Sequence, residues 1–144
     1  MSKKFIIYTD GGARNNPGPA GIGAVLMDEN KNIVAEISEY IGLGTNNQAE
    51  YKALLAAIRK ARELKAEEVE FYLDSELVVK QMKREYRVKD KELAQLFLKI
   101  YNISLGFKKI SFTHVPRELN KEADKLVNEA IDKGIETGKI TFTE

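Results

Sequence analysis

Four acids of this chain, Asp10, Glu50, Asp74 and Asp124, occupy positions that a merely solvated carboxylate would not favour. Asp10 closes the apolar run Phe5-Ile6-Ile7-Tyr8-Thr9, just before a glycine pair. It therefore leaves a strand at its carboxyl end, where sites collect in open α/β sheets. Alone, it reads equally well as a turn-starting aspartate. Asp74 stands two residues after Tyr72, as Asp10 stands two after Tyr8, so parallel pairing brings both acids out at one end of the sheet. Asp74-Ser75 before a helix also reads as an N-cap. Glu50 precedes Leu54, Ala57, Ile58 and Ala61 at helical spacing, on an inward-facing stripe where an unpartnered carboxylate is costly. The helix dipole favours an anion in this first turn but does not account for the inward face. Asp124 flanks the apolar stripe of the last helix beside Val127 and Ile131, a mid-helix position that aspartate fills poorly. A boundary-position acid is the alternative there.

If the four converge, they cannot all stay ionised without cations, because like charges raise one another's pKa. An oxygen-only cluster, in a chain with no cysteine and one histidine, suits the hard ions Mg²⁺ or Mn²⁺. Two such ions about 4 Å apart clamp the attacking and leaving oxygens of a phosphoryl transfer. The acids thus point to metal-dependent phosphodiester chemistry.

The elements that must position them follow from periodicity. Residues 5–8 read as a buried strand, and residues 11–21, rich in Gly, Pro and Asn, as an irregular loop. Residues 21–27 and 33–41 read as two further strands of an antiparallel meander. A helix begins at Asn46 or Asn47 as N-cap and carries Leu54, Ala57, Ile58, Ala61 and Leu64 on one stripe. Residues 69–73 form a fourth strand. Helices over 76–83 and 91–103 are separated by a basic stretch, followed by a fifth strand over 109–114 and a helix over 118–133. In the tail, Ile140 and Phe142 alternate as in an edge strand, with a loose tail as the alternative. The order βββαβααβα predicts a mixed α/β sheet with helices on both faces, as one domain over residues 1–134 with 135–144 as a tail.

Composition narrows the function. At 144 residues the chain suits a single domain. Lysine and arginine number 23 against 22 acids, so any nucleic-acid site must be a local patch rather than a basic coat. The absence of cysteine excludes disulfides, thiolate zinc sites and cysteine nucleophiles, and fits a reducing, cytoplasmic setting. No apolar run is long enough for a membrane helix, and only five residues separate the basic start from Asp10, too few for a signal peptide. The expectation is a cytoplasmic monomer with no membrane association and no obligate protein partner.

The strings themselves resemble ribonuclease H type 1. Tyr8-Thr9-Asp10-Gly11-Gly12 with Asn16-Pro17-Gly18-Pro19, Thr45-Asn46-Asn47-Gln48-Ala49-Glu50, Leu73-Asp74-Ser75, and the block from His114 through Asn120 to Asp124 occur in the family's order across residues 6–130. The resemblance implies a ribonuclease H-like fold, a five-stranded mixed sheet of order 3-2-1-4-5 with helices on both sides. It implies endonucleolytic cleavage of the RNA strand of an RNA/DNA hybrid, leaving 5′-phosphate and 3′-hydroxyl ends. Asp10, Glu50, Asp74 and Asp124 would hold two Mg²⁺ ions, with Mn²⁺ as a substitute. Asp10 would bridge them, one ion activating water and the other stabilising the leaving 3′-oxygen. His114 would assist proton movement or product release, its loss slowing turnover without abolishing it. Asn16, Asn46 and Asn47 would contact the minor groove, where the 2′-hydroxyl marks RNA; as turn and cap residues they need no such role. Thr45 would contribute to a DNA-phosphate pocket, less positive here because Gln48 replaces a frequent arginine.

The chain departs from many bacterial members in lacking a long, basic, tryptophan-containing insertion after the fourth strand; it has no tryptophan at all. Lys83, Arg84, Arg87, Lys89 and Lys91 would supply a reduced phosphate-binding patch, with weaker and more salt-sensitive hybrid binding. Two alternatives are a nuclease of the same fold that also cuts duplex RNA, and a non-catalytic hybrid-binding module.

Overall fold

Alternation along the first strand sets the two faces of the molecule. In the computed structural model, which describes residues 3–143 (side chains to residue 137), β1 (Lys4–Ala13) buries Phe5, Ile7 and Thr9 on one side. It is followed by β2 (Gly18–Met27) and β3 (Ile33–Gly44), then α1 (Asn46–Glu63), β4 (Glu68–Leu73), α2 (Glu76–Met82), α3 (Lys91–Ser104), β5 (Lys109–His114), a 3₁₀ turn (Arg117–Leu119) and α4 (Lys121–Thr143). The strands form one five-stranded sheet of order β3-β2-β1-β4-β5. The first three are antiparallel, and β4 and β5 run parallel to β1, so the sheet is mixed as expected.

The larger core lies on the α1 side. Phe5, Ile7, Ala24, Leu26, Val69 and Phe71 from the sheet meet Tyr51, Leu54, Ala57 and Ile58 of α1 and Ile100 of α3. On the other face α4 lies across β2 and β3, with Val127, Ala130 and Ile131 buried.

The glycines differ from their sequence reading. Residues 11–21 are not an irregular loop: β1 continues to Ala13 and β2 starts at Gly18, leaving residues 14–17 as the connection. A Cβ on Gly11 would run into the backbone of Ala49 and Glu50, and one on Gly23 into the Ala123 carbonyl. These glycines admit helices onto strands rather than loosening a loop.

α1 is capped by Thr45, not by Asn46 or Asn47. The Thr45 hydroxyl accepts from the Gln48 amide at 3.1 Å, and Gln48 Oε1 accepts from the Thr45 amide at 2.9 Å, a reciprocal capping box. The C-terminal segment also departs from expectation. α4 does not stop near residue 133, and in place of an edge strand around Ile140 and Phe142 the backbone stays helical to Thr143. The expected helix ends just before Gly134, yet the helix runs through that residue and the Tyr40 ring of β3 fills the space where its side chain would stand.

Candidate active site

Asp10 lies on β1 just past the point where that strand loses its β4 neighbour: the parallel ladder ends at the Thr9–Leu73 pair. Asp74 follows Leu73 directly and opens the turn into α2. It is not the cap of that helix. Ser75 is, its Oγ accepting from the Val78 amide at 3.2 Å, which leaves the Asp74 carboxylate outside the capping bonds. Glu50 sits in the second turn of α1, brought down onto the sheet by the Gly11 contact. Asp124 is in the first turn of α4, not mid-helix as expected, because the helix begins at Lys121 and not at residue 118; its amide is bonded to the Asn120 carbonyl at 3.1 Å.

All four acids line one open cavity of about 410 Å³, together with Arg14, Asn46, Arg117 and Asn128. Their electrostatics agree with crowding. Burial, followed by the charges of Asp74, Asp124 and Glu50, pushes Asp10 up to about 8, and its protonated form hydrogen-bonds to Asp124. Burial pushes Glu50 up to about 7; a hydrogen bond from Ser75 opposes this and the Asp74 charge adds to it. Glu50 Oε2 is buried with no hydrogen-bond partner within the chain. The cationic neighbours do little to neutralise the group. Arg117 approaches Asp124 only to 4.0 Å and is largely exposed, while Arg14 is held by Asp132 at 2.7 Å and by Asn128.

The donor set fits a hard divalent ion: oxygen ligands only, mutual repulsion that a dication would relieve, and an orphaned buried carboxylate oxygen. It is not a closed cage. Among the described residues, no group of three histidine or carboxylate side chains is already arranged to hold an ion.

The other expected residues divide. Asn46 lines the cavity and Asn16 is tied to it from outside: Asn16 Oδ1 accepts from the Asn46 amide and Asn46 Oδ1 from the Ala13 amide, at 2.9 and 2.8 Å. The pair thereby ties the β1–β2 connection to the start of α1. Asn47 is exposed beside them, and Thr45 is engaged in its cap. Gln48 also reaches α3, donating to Glu92 Oε2 at 2.8 Å. His114 is the last residue of β5, paired in register with Leu73; it is exposed and does not line the acid cavity. Its charge reaches Glu76, whose carboxyl is held low chiefly by Lys80.

Lys83, Arg84, Arg87 and Lys89 are all exposed in the connection between α2 and α3, residues 83–90. Arg84 lies over the Tyr101 ring at 5.4 Å. Among the described residues, the side chains of Lys83, Arg87 and Lys89 make no ion pair. Sequence reasoning missed Arg14, whose signal was a lone cation four residues after Asp10. It also missed Arg117, seven before Asp124.

The chain matches the family described as Reverse transcriptase-like over residues 8–130. It is 44% identical over 125 residues to Ribonuclease HI of Halobacterium salinarum, covering 87% of this chain and 63% of that protein. With the Bifunctional protein of Mycobacterium tuberculosis it shares 42% identity over 130 residues, but it spans only 36% of that protein's length. Ribonuclease H of Prosthecochloris aestuarii is 35% identical, with 91% of this chain and 97% of the relative covered. Among solved structures, LC11-RNase H1 in complex with an RNA/DNA hybrid superposes with a TM-score of 0.87 at 50% identity, covering 91% of this chain and 99% of that one. No described helix is long and apolar enough to cross a membrane.

Proposed function

The chain belongs to the ribonuclease H type 1 family, and from that premise we propose that it hydrolyses the RNA strand of RNA/DNA hybrids with divalent metal ions, leaving 5′-phosphate and 3′-hydroxyl ends. The observation that carries the proposal is the convergence of Asp10, Glu50, Asp74 and Asp124 on one cavity from four separate elements. Two bound Mg²⁺ ions would supply a nucleophilic water and stabilise the leaving oxygen.

The chain's own part is to hold the ions and present the hybrid. Asp10, which interacts with the charges of the other three acids, would be the central ligand to the ions. Glu50, Asp74 and Asp124 complete the ligand set. His114, on the neighbouring strand end rather than in the cavity, assists turnover without ligating metal. Asn16, Asn46 and Asn47 contact the minor groove, and Thr45, at the start of α1, contributes to a DNA-phosphate pocket. Lys83, Arg84, Arg87 and Lys89 contact more distant phosphates, and their short connection replaces a longer handle. All four acids come from one chain, which supports action as a monomer.

The test is cleavage of end-labelled RNA/DNA hybrid, duplex RNA and duplex DNA, with Mg²⁺ and with chelator, by the wild type and Asp10→Asn. The expected result is Mg²⁺-dependent cuts confined to the RNA of the hybrid and lost in the variant. Cleavage that survives chelation or Asp10→Asn overturns the proposal, and hybrid binding with no cleavage under any metal favours a binding module instead.

A further inference from the structure

Where β4 ends, β1 carries on with β2 alone. The Leu73 carbonyl is taken by the Val115 amide at 2.8 Å, and Asp10 is the first residue of β1 beyond that seam. The carbonyl just before it, that of Thr9, accepts from Asn120 Nδ2 at 2.9 Å, a bond between residues 111 apart in the chain. Asn120 is 1% exposed, and its own carbonyl accepts the Asp124 amide as α4 begins. One short, buried side chain therefore links the residue before Asp10 to the residue one helical turn before Asp124.

An amide at this place is a costly choice. Asn120 Oδ1 is buried with no partner within the chain, so the side chain's hydrogen-bonding capacity is incompletely met. A leucine of similar bulk would avoid that cost and pack the same space. It would not fix the position of α4 along its axis, because apolar contact is non-directional and a hydrogen bond to one carbonyl is not.

We propose that Asn120 is a positioning residue: through the Thr9 carbonyl it sets the reach between the Asp10 and Asp124 carboxylates so that both can engage one divalent ion, without itself touching ion or substrate. The proposal rests on reading the four acids as a metal site. Residues that orient ligands from behind typically cost 10–100-fold in metal affinity or activity when removed.

The test compares Asn120→Ala and the milder Asn120→Ser with Ile100→Val, which opens a small gap in the core on α3, within the cluster on the opposite face from α4. Melting temperature, Mg²⁺ binding by calorimetry without substrate, and kcat and KM on hybrid are measured where every variant is folded. Asn120→Ala is expected to weaken Mg²⁺ binding and lower kcat, each by roughly tenfold or more, with KM within about twofold. Asn120→Ser falls between, and Ile100→Val loses melting temperature only. If Asn120→Ala does not fold, Asn120→Ser carries the comparison. Mg²⁺ affinity and kcat that change no more than in Ile100→Val, in a wild type that cuts hybrid, overturn this proposal alone. A wild type that neither binds Mg²⁺ nor cuts hybrid overturns it together with the reading of the acids.

Discussion

Asp10 and Gly23 face each other across the β1–β2 ladder, and the space Gly23 leaves empty is occupied by the α4 backbone at Ala123, the residue before Asp124. The glycine on one strand thus fixes how closely an acid on a helix approaches the acid on the next strand.

Gly23→Ala is expected to force α4 away from β2, destabilising the fold by about 1–3 kcal/mol through overpacking and cutting kcat more than KM. Gly12→Ala serves as its comparison, since a Cβ there meets Asn46 Oδ1 and Val127 Cγ1 only at ordinary contact, 3.8 and 3.9 Å. Denaturant melts of both variants check this, and equal losses would show that the Gly23 contact is not special.

The stability of the metal-free protein should fall as pH rises. Asp10 and Glu50 have folded-state pKa values near 8 and 7, above their ordinary values of 3.8 and 4.5. The native state therefore holds extra protons between about pH 4 and 8. Their contribution is fully present below the unfolded pKa values and is lost as pH passes through the folded ones. Melting temperatures with chelator are expected to drop from pH 5.5 to pH 8.5, and Mg²⁺ to restore more at pH 8.5 than at pH 5.5. A Mg²⁺ effect independent of pH would contradict this.

Asp10→Asn should separate stability from activity. It removes one of the mutually repelling charges and keeps the side-chain shape, so the metal-free variant at pH 8 is expected to be more stable than wild type by about 1–3 kcal/mol. Cleavage should meanwhile fall at least about a thousandfold, as expected when a central metal ligand is lost. Chemical denaturation beside a turnover assay reads both.

Replacing Lys83, Arg87 and Lys89 together by alanine should raise KM for hybrid and flatten its salt dependence, with kcat unchanged. Removing three cations that each neutralise a phosphate would reduce the log–log salt slope by roughly 2–3. These side chains make no ion pair among the described residues, so their removal should cost little stability. A salt slope equal to wild type would assign the connection to a solvated face.

His114→Ala should lower kcat by roughly a hundredfold, the low end of the range for a proton-handling side chain, and leave Mg²⁺ binding as it is. Its exposed place at the end of β5, outside the acid cavity, predicts that split. Lost Mg²⁺ affinity would instead make it a ligand.

Much of this was legible in the chain because period and chemistry agreed. The strand over 109–114 matches β5 residue for residue, and Glu50 was placed inward by the stripe from Leu54 to Ala61. Glycine misled the reading twice, because its two uses look alike in sequence. Gly11 and Gly23 signal a close backbone neighbour that only tertiary structure supplies, and Gly134 sits mid-helix because a ring from β3 needs its place. Asn120 was passed over for a related reason. Its partner is a main-chain carbonyl 111 residues away, and no side-chain pattern marks such a bond.

The anchoring of α4 gives the cavity one wall that is held from outside the site. Ser38 Oγ donates to the Leu126 carbonyl at 2.7 Å, Tyr40 seats on Gly134, and Arg14 binds Asp132 at 2.7 Å, so β3 and the β1–β2 connection clasp the helix between residues 126 and 134. Asp124 rides on that clasped body. Asp74, by contrast, stands in the turn between β4 and α2, outside that clasp. Asp124 therefore takes its place in the cavity from side chains of β3 and the β1–β2 connection as well as from its own helix, so that a change at Ser38, Tyr40 or Arg14 would be felt at an acid none of them bonds to.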